Sequence, residues 1–97
     1  MFDLSGQTIL VAGGAGHLGT PVCETIVKLG GRVFIADINR ERLDAALTSV
    51  AALGGADTVD GAILDIGEEN SINAAVSACA TRFGAFSGLV NATFGST

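Results

Sequence analysis

The chain has 97 residues, 48% of them hydrophobic and 15% charged, and a formal net charge of −5. That length suits one small domain, and the composition is that of a folded chain rather than a disordered one. An acidic balance with no cluster of Lys or Arg argues against nucleic acid or an anionic membrane surface as a partner, and no apolar run approaches the length of a membrane-spanning helix.

The elements alternate from the start. Thr8-Ile9-Leu10-Val11-Ala12 is a continuous apolar run rich in β-branched residues, and it stops at Gly13-Gly14. It reads as a strand buried on both faces. From about His17 to Leu29, Leu18, Val22, Ile26 and Leu29 recur at helical spacing, with Pro21 in the first turn, where its missing N–H costs nothing. Gly30-Gly31 ends that helix.

Arg32-Val33-Phe34-Ile35-Ala36-Asp37 is the second strand. Asn39 is placed to cap the next helix, with Glu41 in its first turn; Leu43, Leu47 and Val50 share one face with Ala46 beside them, and Gly54-Gly55 closes it. A weaker third strand spans about Thr58–Leu64 and ends in Asp65. Gly67-Glu68-Glu69 opens a third helix whose stripe is Ile72, Val76, Cys79 and Phe83, and Gly84 stops it. Ser87-Gly88-Leu89-Val90-Asn91-Ala92 is the fourth strand. The order βαβαβαβ predicts a three-layer α/β fold: a partial Rossmann-type parallel sheet of strand order 3-2-1-4, with residues 1–97 as one unit.

With five Phe and neither Trp nor Tyr, the core falls to Val, Ile, Leu and Ala. Cys23 and Cys79 each sit inside an apolar helical pattern and read as buried thiols in a reducing cytoplasm. One His and two separated Cys make no zinc site of usual spacing, so no metal ligand is assigned. The segment after Met1 has no basic stretch leading into an apolar one, so no signal peptide is read and the expected location is the cytoplasm.

The chemistry lies in Gly13-Gly14-Ala15-Gly16-His17-Leu18-Gly19, glycines three apart between a strand and a helix. Gly13 suits a tight turn, Gly16 lets a pyrophosphate approach the backbone, and Gly19 lets the helix pack close to the strand. The unpaired N–H groups of the helix start favour phosphate. Asp37 ends the second strand, where a carboxylate accepts hydrogen bonds from ribose hydroxyls and repels a 2′-phosphate. Arg40, just past the strand, is the residue that would meet a 2′-phosphate, but position 38 is Ile38 and not basic. NAD is therefore favoured over NADP. Asp65 and Ile66 end the third strand on the same rim and are candidates to flank the adenine, with an acid merely beginning a turn as the alternative. His17 lies in the loop, facing a phosphate or solvent, and is given no catalytic role.

At these residues the chain resembles the short-chain dehydrogenases/reductases. Leu4 to Gly19 looks like that family's first strand and cofactor loop, with Ala12 where the family usually has Thr. Ala36-Asp37-Ile38-Asn39 looks like its NAD-type second strand, Leu64-Asp65-Ile66 like its adenine pocket, and Leu89-Val90-Asn91 like its fourth strand. The family usually continues Asn-Asn-Ala-Gly, so Asn91 is kept while Ala92, Thr93 and Phe94 depart. The resemblance implies a cofactor-binding set of Gly13, Gly14, Gly16, His17, Leu18, Gly19, Asp37, Ile38, Asp65, Ile66 and Asn91. It also implies hydride transfer to or from an alcohol or ketone, assisted by a Ser and a Tyr-x-x-x-Lys pair further along the chain. Tyr is absent and Lys28 is the only lysine, so no catalytic residue is assigned.

Two readings from different classes follow. The first is the N-terminal, cofactor-binding portion of an NAD-dependent oxidoreductase, binding the ADP half of the dinucleotide. The second is a non-catalytic assembly module that dimerises through an exposed fourth strand, since an unpaired apolar edge invites pairing with another copy or with a missing C-terminal half. A nucleoside-binding methyltransferase-like fold is a poor third.

Overall fold

The computed structural model describes residues 4–13, 15–16, 19–65, 67–84 and 87–91. Strands β1 (Thr8–Ala12), β2 (Arg32–Asp37), β3 (Val59–Ile63) and β4 (Gly88–Asn91) alternate with helices α1 (Gly19–Lys28), α2 (Arg40–Gly54) and α3 (Glu69–Phe83). The described strands form one sheet of order β3-β2-β1-β4, and every pairing is parallel. Both features agree with the order and sense expected from the alternation of elements. The parallel register puts Ala12, Asp37, Ile63 and Asn91 together at one rim: Ala12 pairs with Ala36 and Asn91, and Asp37 pairs with Ile63.

Alternation along the strands divides the core in two. Val11, Val33 and Ile35 turn to one face and pack with Cys23, Ile26, Val27, Leu43, Ala46 and Val50 of α1 and α2. Leu10, Ala12, Phe34 and Ala36 turn to the other face and pack with Ala75 and Cys79 of α3. β2 is central, so its residues are buried on both faces and its sequence is continuously apolar.

The helix stops obey glycine chemistry. Gly30 has φ 90°, its N–H donates to the Val27 carbonyl at 3.0 Å, and the Gly31 N–H donates to the Ile26 carbonyl at 3.0 Å. This paired closure satisfies two orphan carbonyls and needs a left-handed residue, which glycine supplies without strain. Asn39 caps α2 as expected, its side-chain oxygen accepting from the Arg42 N–H at 2.9 Å.

The phases of two helices differ from the sequence reading. In α1 the buried residues are Gly19, Cys23, Ile26 and Val27, not the stripe through Val22 and Leu29. In α3 they are Ala75 and Cys79, while Ile72 and Val76 are exposed. Both helices carry apolar residues around a wide arc, and in α3 the small residues face the sheet, which lets the helix axis approach it. β3 is also shorter than expected: Thr58 belongs to a 3₁₀ turn (Ala56–Thr58), its hydroxyl donating to the Gly55 carbonyl at 2.8 Å. Gly61 in β3 faces α2 so closely that a Cβ there would collide with the Ile35 carbonyl and crowd Leu43 and Leu47.

At the opposite end of the sheet from the rim, charge and aromatic contacts tie α3 down. Arg82 pairs with Asp60 at 3.3 Å and lies 4.6 Å from the centre of the Phe83 ring. Arg32 lies 5.8 Å from the same ring and donates to the Thr8 hydroxyl at 3.2 Å. Both cysteines are fully buried thiols outside any disulfide, as their apolar surroundings in sequence suggested.

Candidate dinucleotide site

The rim site is built where β1 ends in the glycine turn and β2 ends in Asp37. Gly13 has φ 75°, a left-handed conformation that permits the tight turn, and its N–H donates to the Ala36 carbonyl at 2.6 Å. The turn then folds back, the Gly16 N–H reaching the Gly13 carbonyl at 3.2 Å and the Thr20 N–H reaching the Gly16 carbonyl at 3.1 Å. Gly19 is buried as the first residue of α1.

Asp37 is 4% exposed, and its carboxylate joins the two halves of the site. Oδ2 accepts from the Ala15 N–H at 3.3 Å. Oδ1 accepts from the Asn39 N–H at 2.9 Å and from Arg42 Nη2 at 3.3 Å. An ionised carboxylate offers about four acceptor positions, so these three bonds leave room for about one further donor.

A cavity of about 360 Å³ opens here, lined by Ala15, Gly16, Thr20, Pro21 and Arg42. Among the described residues of that lining Arg42 is the charged one, and Thr20 and Pro21 belong to the first turn of α1. A guanidinium and a helix start both favour an anion. Among the described residues, a Cβ added to Gly16 would meet only the Gly13 carbonyl oxygen, at an ordinary 3.5 Å. Packing against the described residues therefore does not demand glycine at this position, and Gly16 lines the cavity. A phosphate-bearing ligand approaching the backbone fits that cradle.

The other expected site residues are placed less directly. Asp65 lies beside Asp37, since the Leu64 N–H donates to the Asp37 carbonyl at 2.9 Å. Its Oδ1 accepts from the Gly67 N–H at 2.9 Å and its own N–H donates to the Ser71 hydroxyl at 2.9 Å, a turn that leads into α3. Ile38 is 60% exposed at the rim. Asn91 is brought to the rim by its register with Ala12. Gly14, His17, Leu18 and Ile66 lie outside the described residues.

Arg40 does not reach the site: it pairs with Asp44 at 3.7 Å, both side chains exposed. Arg42, which the sequence reading passed over, takes that place. A signal existed. With Asn39 as N-cap, Arg42 is the third helical residue, the position whose side chain reaches back toward the cap.

A parallel sheet wound on both faces, with a glycine turn and an acid at adjoining strand ends, defines a dinucleotide-binding type of fold. The family model described as short chain dehydrogenase matches residues 7–95, and the chain belongs to that family. It is 38% identical over 91 residues to a 2,5-dichloro-2,5-cyclohexadiene-1,4-diol dehydrogenase of Sphingobium indicum, covering 94% of this chain and 34% of that one. A solved short-chain type dehydrogenase/reductase from Mycobacterium ulcerans superposes with a TM-score of 0.91 at 29% identity, covering 99% of this chain and 35% of that one. An NAD+-bound xylitol dehydrogenase (TM-score 0.83, 26% identity, covering 89% and 32%) and an NADPH-bound actinorhodin polyketide ketoreductase (TM-score 0.83, 28% identity, covering 91% and 34%) are similar as well. The chain spans about a third of the length of the curated relatives it matches. Among the described residues no helix is long and apolar enough to cross a membrane, and no group of three or more His, Cys, Asp or Glu is placed to hold a metal ion.

Proposed function

We propose that this chain forms the adenosine-side part of a nicotinamide dinucleotide site in an oxidoreductase, and that it prefers NAD to NADP. The observation that carries the reading is the contact between Asp37 and the glycine turn. That contact holds a carboxylate for the ribose hydroxyls beside an open, anion-favouring cradle for the pyrophosphate. Gly13, Gly16, Gly19, Asp37 and the rim positions Ile38, Asp65 and Asn91 supply the binding, with Gly14, His17, Leu18 and Ile66 as further members from the sequence. When bound, the nicotinamide supplies hydride chemistry toward an alcohol or ketone. Proton transfer to the substrate oxygen belongs to the family's Ser and Tyr-x-x-x-Lys, and these 97 residues hold no Tyr. Two buried cysteines that form no disulfide support a reducing, cytoplasmic setting.

Isothermal titration of the purified protein with NAD, ADP-ribose and NADP tests the reading. The expected result is similar binding of NAD and ADP-ribose and weaker binding of NADP. Absence of binding to all three sinks it.

One observation favours a second reading, self-association along β4: Leu89 on that strand is 62% exposed. A dimer that Leu89→Lys converts to monomer in sedimentation velocity supports it, and a wild-type monomer at high concentration rules it out.

A further inference from the structure

We infer that Arg42 sets how strongly the site rejects a phosphate on the adenosine 2′ oxygen. The inference rests on the dinucleotide reading above and names the residue that tunes its specificity. Three facts point to it. Arg42 is a charged member of the cavity lining that also holds Ala15 and Gly16 of the glycine turn. Its Nη2 sits 3.3 Å from Oδ1 of Asp37, the carboxylate placed for the ribose. Its side chain is 56% exposed whereas that of Asp37 is 4% exposed, so the guanidinium is free to turn about a fixed acid.

The consequence follows from counting donors and acceptors. Three of about four acceptor positions on Asp37 are taken by the Ala15 N–H, the Asn39 N–H and Arg42. A ribose diol donating two hydrogen bonds needs one position more than remains, so Arg42 must yield its bond when the diol binds. A 2′-phosphate brings acceptors and negative charge instead. A carboxylate alone would repel it, but a guanidinium has five donors and can serve a carboxylate and a phosphate together. Arg42 thus competes with the diol of NAD and offsets the repulsion felt by NADP. The site favours NAD through Asp37, and Arg42 narrows the margin.

Arg40 is the internal control. It lies two residues earlier in α2, carries the same charge, and is paired with Asp44 rather than Asp37.

The test compares ADP-ribose with adenosine 2′,5′-bisphosphate on wild type, Arg42→Gln, Arg42→Lys and Arg40→Gln, with thermal melts to confirm folding. For Arg42→Gln the expected result is about a tenfold fall in affinity for the bisphosphate, with ADP-ribose bound as well as before or better. Arg42→Lys should retain most of the bisphosphate affinity, and Arg40→Gln should leave the ratio of the two ligands where it was. An unchanged ratio in Arg42→Gln, in a protein that still binds ADP-ribose, overturns the inference and leaves the dinucleotide reading standing. An equal fall in Arg40→Gln overturns it too, because general charge would then explain the effect. If wild type binds neither ligand, the dinucleotide reading fails and this inference fails with it.

Discussion

Oδ2 of Asp37 accepts a hydrogen bond from the Ala15 N–H at 3.3 Å, across 22 positions of sequence. The acid at the end of β2 therefore shapes the glycine turn as well as facing a ribose. Asp37→Ala should cost stability along with affinity, because the Ala15 and Asn39 N–H groups lose their acceptor. The expected loss is about 1–3 kcal/mol in unfolding free energy, with ADP-ribose binding abolished. Urea denaturation and titration calorimetry on the same samples check both halves, and loss of binding at unchanged stability would mean the turn holds itself.

Gly16→Ala separates the two effects. Among the described residues the added methyl meets only the Gly13 carbonyl, at ordinary contact distance. Stability should stay level or rise by about 0.4–1 kcal/mol, since alanine restricts the unfolded chain more than glycine does. Binding of ADP-ribose should fall by about tenfold or more, because the methyl fills the space a pyrophosphate needs. A melt and a titration suffice, and retained affinity would show that no ligand backbone contact occurs there.

Gly61→Ala is expected to act the opposite way. Its Cβ would drive into the β2 backbone and the side chains of Leu43 and Leu47. A loss of about 1–3 kcal/mol is expected from overpacking, read from the denaturant midpoint. Ligand affinity in the fraction that stays folded should be little changed, since Gly61 lies outside the cavity lining.

The Cys23 thiol is pushed up from 9.0 to about 12, chiefly by burial and secondly by Glu24; burial also raises Cys79. Because folding holds these groups in their neutral form, their contribution to stability is intact below pH 9 and is lost as pH rises from about 9 toward 12. With no Tyr and a single Lys, few other side chains titrate in that window. Unfolding curves should weaken steadily across it for wild type and more shallowly for Cys23→Ala. Equal slopes would assign the alkaline loss elsewhere.

Strand order and sense were legible because strands and helices alternate along the chain, and helical crossovers between successive strands give a parallel sheet. Gly13 and Asp37 were legible for a related reason: their residue types are dictated by backbone angle and by charge at a strand end. The phases of α1 and α3 were not. In α3 the reading weighted bulk, through Ile72 and Val76, whereas the sheet receives Ala75 and Cys79. Which arginine returns to Asp37 was equally hidden, since it depends on where α2 begins, and a shift of one residue in the cap would turn Arg42 away.

The helix layers are unequal, and that governs how the molecule breathes. Across its 15 residues, α3 sends only Ala75 and Cys79 fully into the core. α1 and α2 bury seven between them, counting Gly19, Cys23, Ile26, Val27, Leu43, Ala46 and Val50. Sub-global opening is easiest where the least apolar surface must be exposed, so the amide hydrogens of α3 should exchange ahead of those in α1 and α2. Such an excursion uncovers Phe34 on the far face of the sheet. It leaves the bonds of Asp37 to Ala15, Asn39 and Arg42 intact, because α3 takes no part in them.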